Sequence, residues 1–261
     1  MEHDVRGVVR RSGAGIAGDV VEALGRGLDN TAYLVDKVWV VRFPADPEAL
    51  DVTREARLLN EVADVLRGIV AVPEAVFAAE GALGYRLLPG VPLMLRQPTP
   101  AVTGTLAKTL AALHAQPVAR FAGLVPVDAD PPQLWLEETR EMAAELELPE
   151  AARFLEQEPP AAAERLVFSH NDLGAEHVLI ADDAVTGIID WSDAAICDPA
   201  YDYGLLLRDL GPAAPPIPPE LRERALFYAR CGLIEDLAYG VREYVEKSRK
   251  QAGWLFTQTG G

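Results

Sequence analysis

The sequence predicts a mixed α/β (α+β) fold, with strands concentrated in residues 1–88 and helices in residues 89–261. Short apolar segments separated by Gly- and Asp-containing turns indicate strands in the first part. Apolar residues recurring at helical spacing indicate helices in the second. Pro89-Gly90 breaks the pattern between the two parts. A chain of 261 residues can bury a sizeable core as one large domain or as two small lobes that share a cleft.

The sequence pattern also predicts the individual strands, helices and loops along the chain. In the first part we predict a glycine-bearing turn between strands within 25–35, a turn at Asp36-Lys37, a strand ending at Pro44, a helix over 46–67, and strands over 69–77 and 83–88. In the second part we predict helices over 103–115 and 133–158, and one or two over 222–249. The proline-rich segments 126–132 and 211–219 are predicted loops.

The chain carries a strong and uneven negative charge. Its 24 basic and 40 acidic residues give a net charge of −16, of which residues 1–88 contribute −4 and residues 89–261 contribute −12. Such a chain repels phosphate backbones and anionic lipid, so we expect neither a nucleic acid nor a membrane as a partner. The acidity of the second part either attracts a cationic substrate or simply keeps the protein soluble.

Two features indicate the cellular compartment. The N-terminus lacks the apolar core of a signal peptide, and no segment approaches the roughly 18 uninterrupted apolar residues of a membrane span. The two cysteines, Cys197 and Cys231, fit a reduced cytoplasm better than a disulfide framework, and they exclude a four-cysteine zinc site. We therefore expect a cytoplasmic protein, and we expect it to be a monomer.

One polar stretch, Ser169–Ile180, carries the strongest chemical signal. An apolar strand leads into a turn with Asp172, a second strand begins at His177, and a third ends on Asp190. Protein kinases place on such a loop an Asp that accepts the proton of the substrate hydroxyl. A Mg²⁺ ligand follows five positions later, and a second ligand ends a later strand. Asp172, His177 and Asp190 have this spacing and setting.

Each of these three residues also has a purely structural interpretation. An Asp in a turn commonly accepts backbone N–H bonds, a His after a turn is commonly half-buried, and an Asp-Trp pair at a strand end can pack its indole at a sheet edge. Single short motifs also match by chance. Three in the expected order, each on its expected element, favour the catalytic interpretation.

The combination of His170–His177, Ile188–Trp191 and Cys197–Asp202 resembles the antibiotic phosphotransferases, which are aminoglycoside and macrolide kinases with a protein-kinase-like fold. The resemblance begins at about Gly25 and ends at about Asp202. It implies two lobes, a small β-rich nucleotide-binding N-lobe over 1–88 and a larger, mainly helical, catalytic and substrate-binding C-lobe over 89–261.

The resemblance also implies the chemistry. Asp172 is then the catalytic base, His177 and Asp190 hold Mg²⁺, and ATP or GTP is the phosphate donor. Because imidazole prefers softer metals than Mg²⁺, Asp190 is the stronger expected ligand. Arg42 stands where kinases carry a phosphate-gripping Lys, and Glu55 on the next helix is its expected partner. The residues expected to hold the nucleotide, through a phosphate-covering loop, this ion pair and a hinge over 85–90, are Gly27, Asn30, Arg42, Glu55, Arg86 and Leu88.

Acidic residues near the C-terminal end are the expected substrate contacts. We assign Asp202, Glu235 and Asp236 to this role, with capping of a helix as the rival role for Asp202. Asp198 precedes Pro199 and is expected to cap the helix that begins there.

The substrate class rests on the same resemblance. It favours an aminoglycoside as the cationic antibiotic acceptor, and so a resistance function. A macrolide is the runner-up, supported by His177 and by the stretch 39–42. Small-metabolite kinases of the choline, homoserine or methylthioribose type share the scaffold and stay open. A nucleotide-binding pseudoenzyme is the rival from another class, and the presence of Asp172 and Asp190 argues against it.

Overall fold

The structure is a computed structural model that describes residues 3–26, 30–46 and 51–258. After helix α1 (Val5–Arg11), five strands form one antiparallel sheet in the order β1-β2-β3-β5-β4. These strands are β1 (Val21–Arg26), β2 (Asn30–Val35), β3 (Trp39–Pro44), β4 (Ala75–Ala79) and β5 (Ala82–Arg86). Helix α2 (Val52–Leu66) lies between β3 and β4 in the chain and packs on β4 and β5.

The rest of the chain is mainly helical. Its helices are α3 (Pro100–His114), α4 (Pro132–Ala143), α5 (Ala152–Leu155), α6 (Ala200–Leu210), α7 (Arg222–Tyr239) and α8 (Arg242–Leu255). Two small antiparallel sheets lie among them. One pairs β7 (Val167–Ser169) with β10 (Ala195–Cys197), and the other has the order β6 (Val91–Pro92), β8 (Val178–Ala181), β9 (Ala184–Ile188).

This arrangement confirms the predicted fold class, a β-rich N-terminal part followed by a helical C-terminal part. Two predicted helical regions are each divided. In the region 133–158, α4 ends at Ala143 and α5 begins only at Ala152; Leu148 between them is non-helical, as expected for the residue that precedes Pro149. The region 222–249 breaks at Gly240, which has a left-handed φ of 70° and ends α7. The strand predicted over 69–77 begins only at Ala75, after Pro73.

One continuous apolar core joins the two parts. It extends from the inner face of α2 and from Leu83 of the sheet through Phe168 and Trp191 to α6 and α7. Smaller cores lie between α1 and the sheet and between α6, α7 and α8. Among the described residues, no helix combines the length and apolar character that crossing a membrane requires.

Close packing fixes the segment that follows the five-stranded sheet. Gly90 has a φ of 123°, and a Cβ atom there would lie 2.6 Å from Thr186 Oγ1 and 2.9 Å from the Ile180 carbonyl oxygen. Only glycine fits this backbone. Thr186 Oγ1 also donates a hydrogen bond to the Pro89 carbonyl at 2.5 Å. These contacts hold residues 87–90 against β8 and β9, where they form one wall of the site described below.

Candidate active site

A cleft of about 1050 Å³ lies between the five-stranded sheet and the helical part. Its walls come from β1 to β3, residues 85–92, the loop between β7 and β8, the end of β9, and α6 and α7. Eight of the residues predicted from the sequence line it together: Asn30, Arg42, Leu88, Asp172, His177, Asp190, Glu235 and Asp236. Gly27 lies outside the described residues.

The loop that carries Asp172 is fixed from below by a buried carboxylate. The backbone N–H groups of His170 and Asn171 donate to the two oxygens of Asp202 at 3.0 and 2.9 Å. Asn171 adopts a left-handed φ of 63°, a conformation that Asn tolerates better than most residues. His170 is fully buried, its Nε2 contacts the Ile189 carbonyl at 3.0 Å, and burial lowers its pKa. The loop is thereby tied both to α6 and to the end of β9.

Asp202 consequently does not fit the substrate-contact role expected from the sequence. Its side chain is 0% exposed and lies beneath the loop, outside the lining of the cleft. The rival role, capping its own helix, does not describe it either, because its two N–H partners belong to the loop. Asp198 does have the expected capping role, since its Oδ1 accepts the Ala200 N–H at 2.8 Å at the start of α6.

Replacing Asp202 by Ala is expected to destabilise the protein and to lower kcat together. The change leaves the buried N–H of His170 and the partly buried N–H of Asn171 without an acceptor, at about 1–3 kcal/mol for a buried group. Chemical unfolding should therefore show a loss of about 2 kcal/mol or more in the free energy of unfolding. Glu138→Ala, on the exposed face of α4, is the control and should change little. Unchanged stability in Asp202→Ala would contradict the loop-holding role.

Asp172 faces the cleft beside His177. Its side chain is 38% exposed, and its Oδ2 lies 3.0 Å from His177 Nε2. Burial disfavours the charged imidazole, but the hydrogen bond to Asp172 and the negative charges of Asp172, Glu176 and Asp190 outweigh it and raise the His177 pKa to about 9. In this arrangement His177 orients the carboxylate of Asp172, while the side of Asp172 that faces the cleft is open to a substrate hydroxyl.

An ion-pair chain connects α2, β3 and the end of β9. Glu55 and Arg42 are both buried and form a salt bridge, and Arg42 Nη1 donates to Asp190 Oδ1 at 2.8 Å. Ser192 Oγ also donates to this oxygen, at 2.9 Å. Burial alone would raise the Asp190 pKa, but Arg42, His177 and the Ser192 hydrogen bond together hold it below its usual value. Arg42 is thus oriented from behind by Glu55 and reaches the cleft as a fixed cation.

The hinge residues predicted to hold the nucleotide have different orientations. Leu87 and Leu88 line the cleft. The side chain of Arg86 is exposed, with its guanidinium carbon 6.0 Å from the centroid of the Trp39 ring, and it does not line the cleft. Arg86 therefore stacks on the sheet, and only its backbone belongs to the hinge.

Asp236 and Glu235 lie side by side on α7 but in different electrostatic settings. Asp236 is buried and accepts a hydrogen bond from Ser248 at 2.8 Å, with Arg208 and Lys247 each 3.4 Å away. Its charge is thus matched from within the protein. Glu235 is half-buried, and burial raises its pKa, as do the charges of Asp236 and Asp172, while Arg208 opposes them. Of the two, Glu235 is better placed to meet a cation in the cleft.

Comparison with known proteins identifies the family of the chain. The profile of the phosphotransferase enzyme family, APH, matches residues 20–236. The chain belongs to this family. No match was found among curated protein sequences.

Solved structures of similar fold cover nearly the whole chain. An APH(2") structure holding GDP and kanamycin is 25% identical, covers 95% of this chain and 97% of its own, and has a TM-score of 0.65. A GDP complex of an aminoglycoside 2'-phosphotransferase is 23% identical over 96% of each chain, with a TM-score of 0.70. A macrolide 2'-phosphotransferase is 24% identical over 94% of each chain, with a TM-score of 0.64.

Membership of the family confirms the resemblance seen in the sequence, and it confirms that the chain is a phosphotransferase with a hydroxyl group as acceptor. The cleft that Asp172, Arg42 and Asp190 line together is the candidate active site. Which residue performs which step stays a prediction.

The donor set of this phosphotransferase fits Mg²⁺ held jointly with a nucleotide. Among the described residues, no group of three or more His, Cys, Asp or Glu side chains could hold a metal alone. Mg²⁺ is usually bound by one or two carboxylates together with substrate phosphates. Asp190, 35% exposed in the cleft, would supply such a carboxylate. His177 would be a second ligand only after leaving Asp172, because the same Nε2 atom now contacts that carboxylate.

A buried ion cluster behind the phosphotransferase site was missed in the sequence. Asp209 Oδ2 accepts the N–H of Ala175 in the catalytic loop at 2.7 Å, and its Oδ1 lies 2.7 Å from both Arg208 Nε and Lys247 Nζ. Glu176 lies 3.8 Å from Arg208 and 3.7 Å from Lys247. One signal was available, since Arg208 and Asp209 directly follow the apolar run Leu205–Leu207, and charged residues in such a setting are buried only when paired.

Proposed function

We propose that this phosphotransferase moves the γ-phosphate of ATP or GTP to a hydroxyl of an aminoglycoside and thereby confers antibiotic resistance. The observation that carries the proposal is that Asp172 lines the same cleft as Arg42 and Asp190, with Arg42 held by Glu55. The similar APH(2") structure, which contains GDP and kanamycin, supports both the donor and the acceptor class. We propose that the reaction takes place in the cytoplasm and that the enzyme acts as a monomer.

The residues of the chain have distinct tasks in this reaction. Asp172 orients the acceptor hydroxyl and accepts its proton as the oxygen attacks the γ-phosphorus, and the bond from that phosphorus to the β-phosphate oxygen breaks to release the nucleoside diphosphate. Arg42, held by Glu55, binds phosphate oxygens of the donor, and Asp190 would hold Mg²⁺. The metal would supply positive charge against the negative charge that develops on the phosphates. Asn30, at the start of β2, covers the phosphates, a role that we also assign to Gly27 from the sequence, and the backbone beside Leu88 holds the purine ring.

A macrolide acceptor is the alternative, and one observation favours it. Arg208 and Lys247 already neutralise Asp236 and Glu176 on the acceptor side of the cleft. Glu235 is the remaining carboxylate of the predicted substrate set that faces the cleft without a salt bridge among the described residues. One such carboxylate suits an acceptor with a single amine on a large apolar body. A small-metabolite kinase of the choline or homoserine type is the third candidate.

A phosphorylation screen tests the proposal. Purified enzyme is incubated with ATP or GTP and with panels of aminoglycosides, macrolides and small metabolite alcohols, and phosphorylated products are detected by mass spectrometry. We expect a product in the aminoglycoside panel. A product in another panel only would show that the acceptor belongs to that class and not to the aminoglycosides. Nucleotide binding without any product would favour a pseudoenzyme.

The salt dependence of KM separates the two antibiotic classes. An aminoglycoside carries several ammonium groups, so carboxylates contribute most of its binding, whereas a macrolide binds mainly through buried apolar area. Salt screens the first contribution, since the Debye length falls from about 10 Å at 0.1 M to about 3 Å at 1 M. We expect the acceptor KM to rise steeply with added KCl while the nucleotide KM changes less. An acceptor KM that is flat across this range would count against an aminoglycoside.

A further inference from the structure

A second, smaller cavity adjoins the active-site cleft. This side cavity has a volume of about 290 Å³ and lies between the 128–132 loop, α4, residues 162–166, and the starts of α6 and α7. Asn171 and Tyr201 line both the side cavity and the cleft. Because Asn171 directly precedes Asp172, the side cavity opens beside the proposed catalytic base. Its volume is near the lower end of the range, about 300–1000 Å³, in which ligand pockets are found.

Three aromatic rings form the inner wall of the side cavity. The rings of Trp135 and Tyr201 are 5.1 Å apart between centroids, those of Trp135 and Tyr228 are 5.6 Å apart, and those of Tyr201 and Tyr228 are 5.3 Å apart. Tyr228 is further fixed by its hydroxyl, which donates to Asp198 Oδ2 at 3.2 Å. The wall is therefore a rigid aromatic surface rather than a set of mobile side chains.

The charge around this wall is entirely negative. The lining residues include four carboxylates, Asp128, Asp130, Glu164 and Asp198, and no Lys, Arg or His. Asp198 is neutralised from behind by Arg224 Nε at 2.7 Å. The other three carboxylates form no salt bridge within the described parts of the chain; Asp128 accepts two long contacts of 3.5 Å, from Asn171 Nδ2 and from the Asp130 N–H. The rim thus carries uncompensated negative charge around an aromatic interior.

We propose that the side cavity binds an N-alkylated ammonium group, and that the acceptor carries this group. Aromatic faces attract organic cations and carboxylates add to that attraction, whereas anions are repelled by the same wall. Alkyl substituents on the nitrogen suit this wall because the rings offer few acceptors for N–H bonds. The second half of the inference rests on the proposed function, because it places the acceptor hydroxyl at Asp172, next to Asn171.

Direct binding of a simple probe tests the cavity without any assumption about the reaction. Choline and its neutral carbon isostere, 3,3-dimethyl-1-butanol, are titrated into the full chain in the absence of nucleotide and followed by ligand-detected NMR. The two probes have nearly the same shape and differ in charge. We expect choline to bind on the order of tenfold more tightly. Equal affinities, or no binding of choline, would overturn the proposal.

Variants then locate the bound choline. Asp128→Asn combined with Glu164→Gln removes rim charge with little change of shape, and Trp135→Leu removes one aromatic face. Each change should weaken choline binding several-fold or more. The matched control, Glu137→Gln combined with Glu141→Gln, removes two exposed carboxylates of α4 outside the side cavity and should leave binding unchanged. Thermal unfolding of each variant identifies any that is destabilised. Choline binding that survives both the rim variant and Trp135→Leu would place choline elsewhere and overturn the proposal.

Steady-state kinetics with any acceptor that is phosphorylated test the second half of the inference, namely that the bound ammonium group belongs to the acceptor. The rim variant should raise the acceptor KM several-fold and leave the nucleotide KM unchanged. If choline binds in the side cavity but the acceptor KM does not change, the cavity is a cation site that the acceptor does not use, and that half is wrong. If no acceptor is phosphorylated, the proposed function fails, while the choline titration still decides whether the cavity binds cations.

Discussion

Asp172→Asn is expected to lower kcat by roughly 10²–10⁴, the range typical for removal of a general base. The carboxamide keeps the shape of the side chain, and Asp202 still holds the loop through the N–H groups of His170 and Asn171. What is lost is the negative oxygen that orients the acceptor hydroxyl and accepts its proton. The measurement is steady-state release of nucleoside diphosphate with a saturating acceptor.

Two controls make this result specific. Calorimetric titration should show that Asp172→Asn binds nucleotide about as tightly as the unmodified enzyme, since Arg42 and Asp190 are unchanged. Asp182→Asn makes the same chemical change in the exposed turn between β8 and β9, and should turn over normally. Near-normal turnover in Asp172→Asn would remove this residue from the role of base.

The second large effect is expected at Asp190. Asp190→Ala should abolish Mg²⁺-dependent nucleotide binding, and His177→Ala should weaken it much less. A carboxylate is the harder and charged ligand that Mg²⁺ prefers, whereas His177 Nε2 contacts Asp172. Titration of nucleotide into both variants, with Mg²⁺ and with EDTA, measures the difference. The two variants are compared by the Mg²⁺-dependent part of their nucleotide affinity, because Arg42 retains its salt bridge to Glu55 and still attracts phosphate without the metal.

Glu138→Ala serves as the control for loss of a carboxylate at an exposed site and should bind Mg-nucleotide normally. A stronger loss in His177→Ala than in Asp190→Ala would make His177 the principal ligand, and the Arg42–Asp190 contact would then be purely structural.

The catalytic stretch could be read from the sequence because its signal is local. Asp172, His177 and Asp190 lie within 19 residues, and the intervening strands set their relative directions. The structure brings all three to the cleft, with His177 against Asp172 and Asp190 against Arg42. The Arg42–Glu55 pair joins two more distant elements, and the sequence supported it only through the resemblance to a known family.

The directions of the acidic side chains on α6 and α7 could not be read in the same way. Asp202 and Asp236 look like surface carboxylates in the sequence, but α6 is packed on every side and both side chains are buried. Their partners are distant in the chain, namely the loop N–H groups for Asp202, and Ser248 and Lys247 of α8 for Asp236. Pairings between distant elements appear only when the helices are packed together.

The boundaries of the secondary-structure elements were likewise predictable only where their signal is local in the sequence. The hairpin turn at Asp36-Lys37 was predictable because Asp tolerates left-handed backbone, and both residues have positive φ values, 52° and 58°. The exact start of β4 depended on where the chain leaves α2 and on a contact with a distant strand, in which the Ile188 N–H donates to the Ala71 carbonyl, and no local pattern specifies either.

The most direct test of the account follows the fate of the γ-phosphate. Enzyme, Mg²⁺, labelled ATP or GTP and the acceptor panels are incubated together, and the label is separated into organic phosphate and inorganic phosphate. We predict that label enters an alcohol phosphate in equal amount to the nucleoside diphosphate formed, and that Asp172→Asn abolishes most of this transfer. Label found only in inorganic phosphate, or transfer that is undiminished in Asp172→Asn, would contradict the proposed reaction.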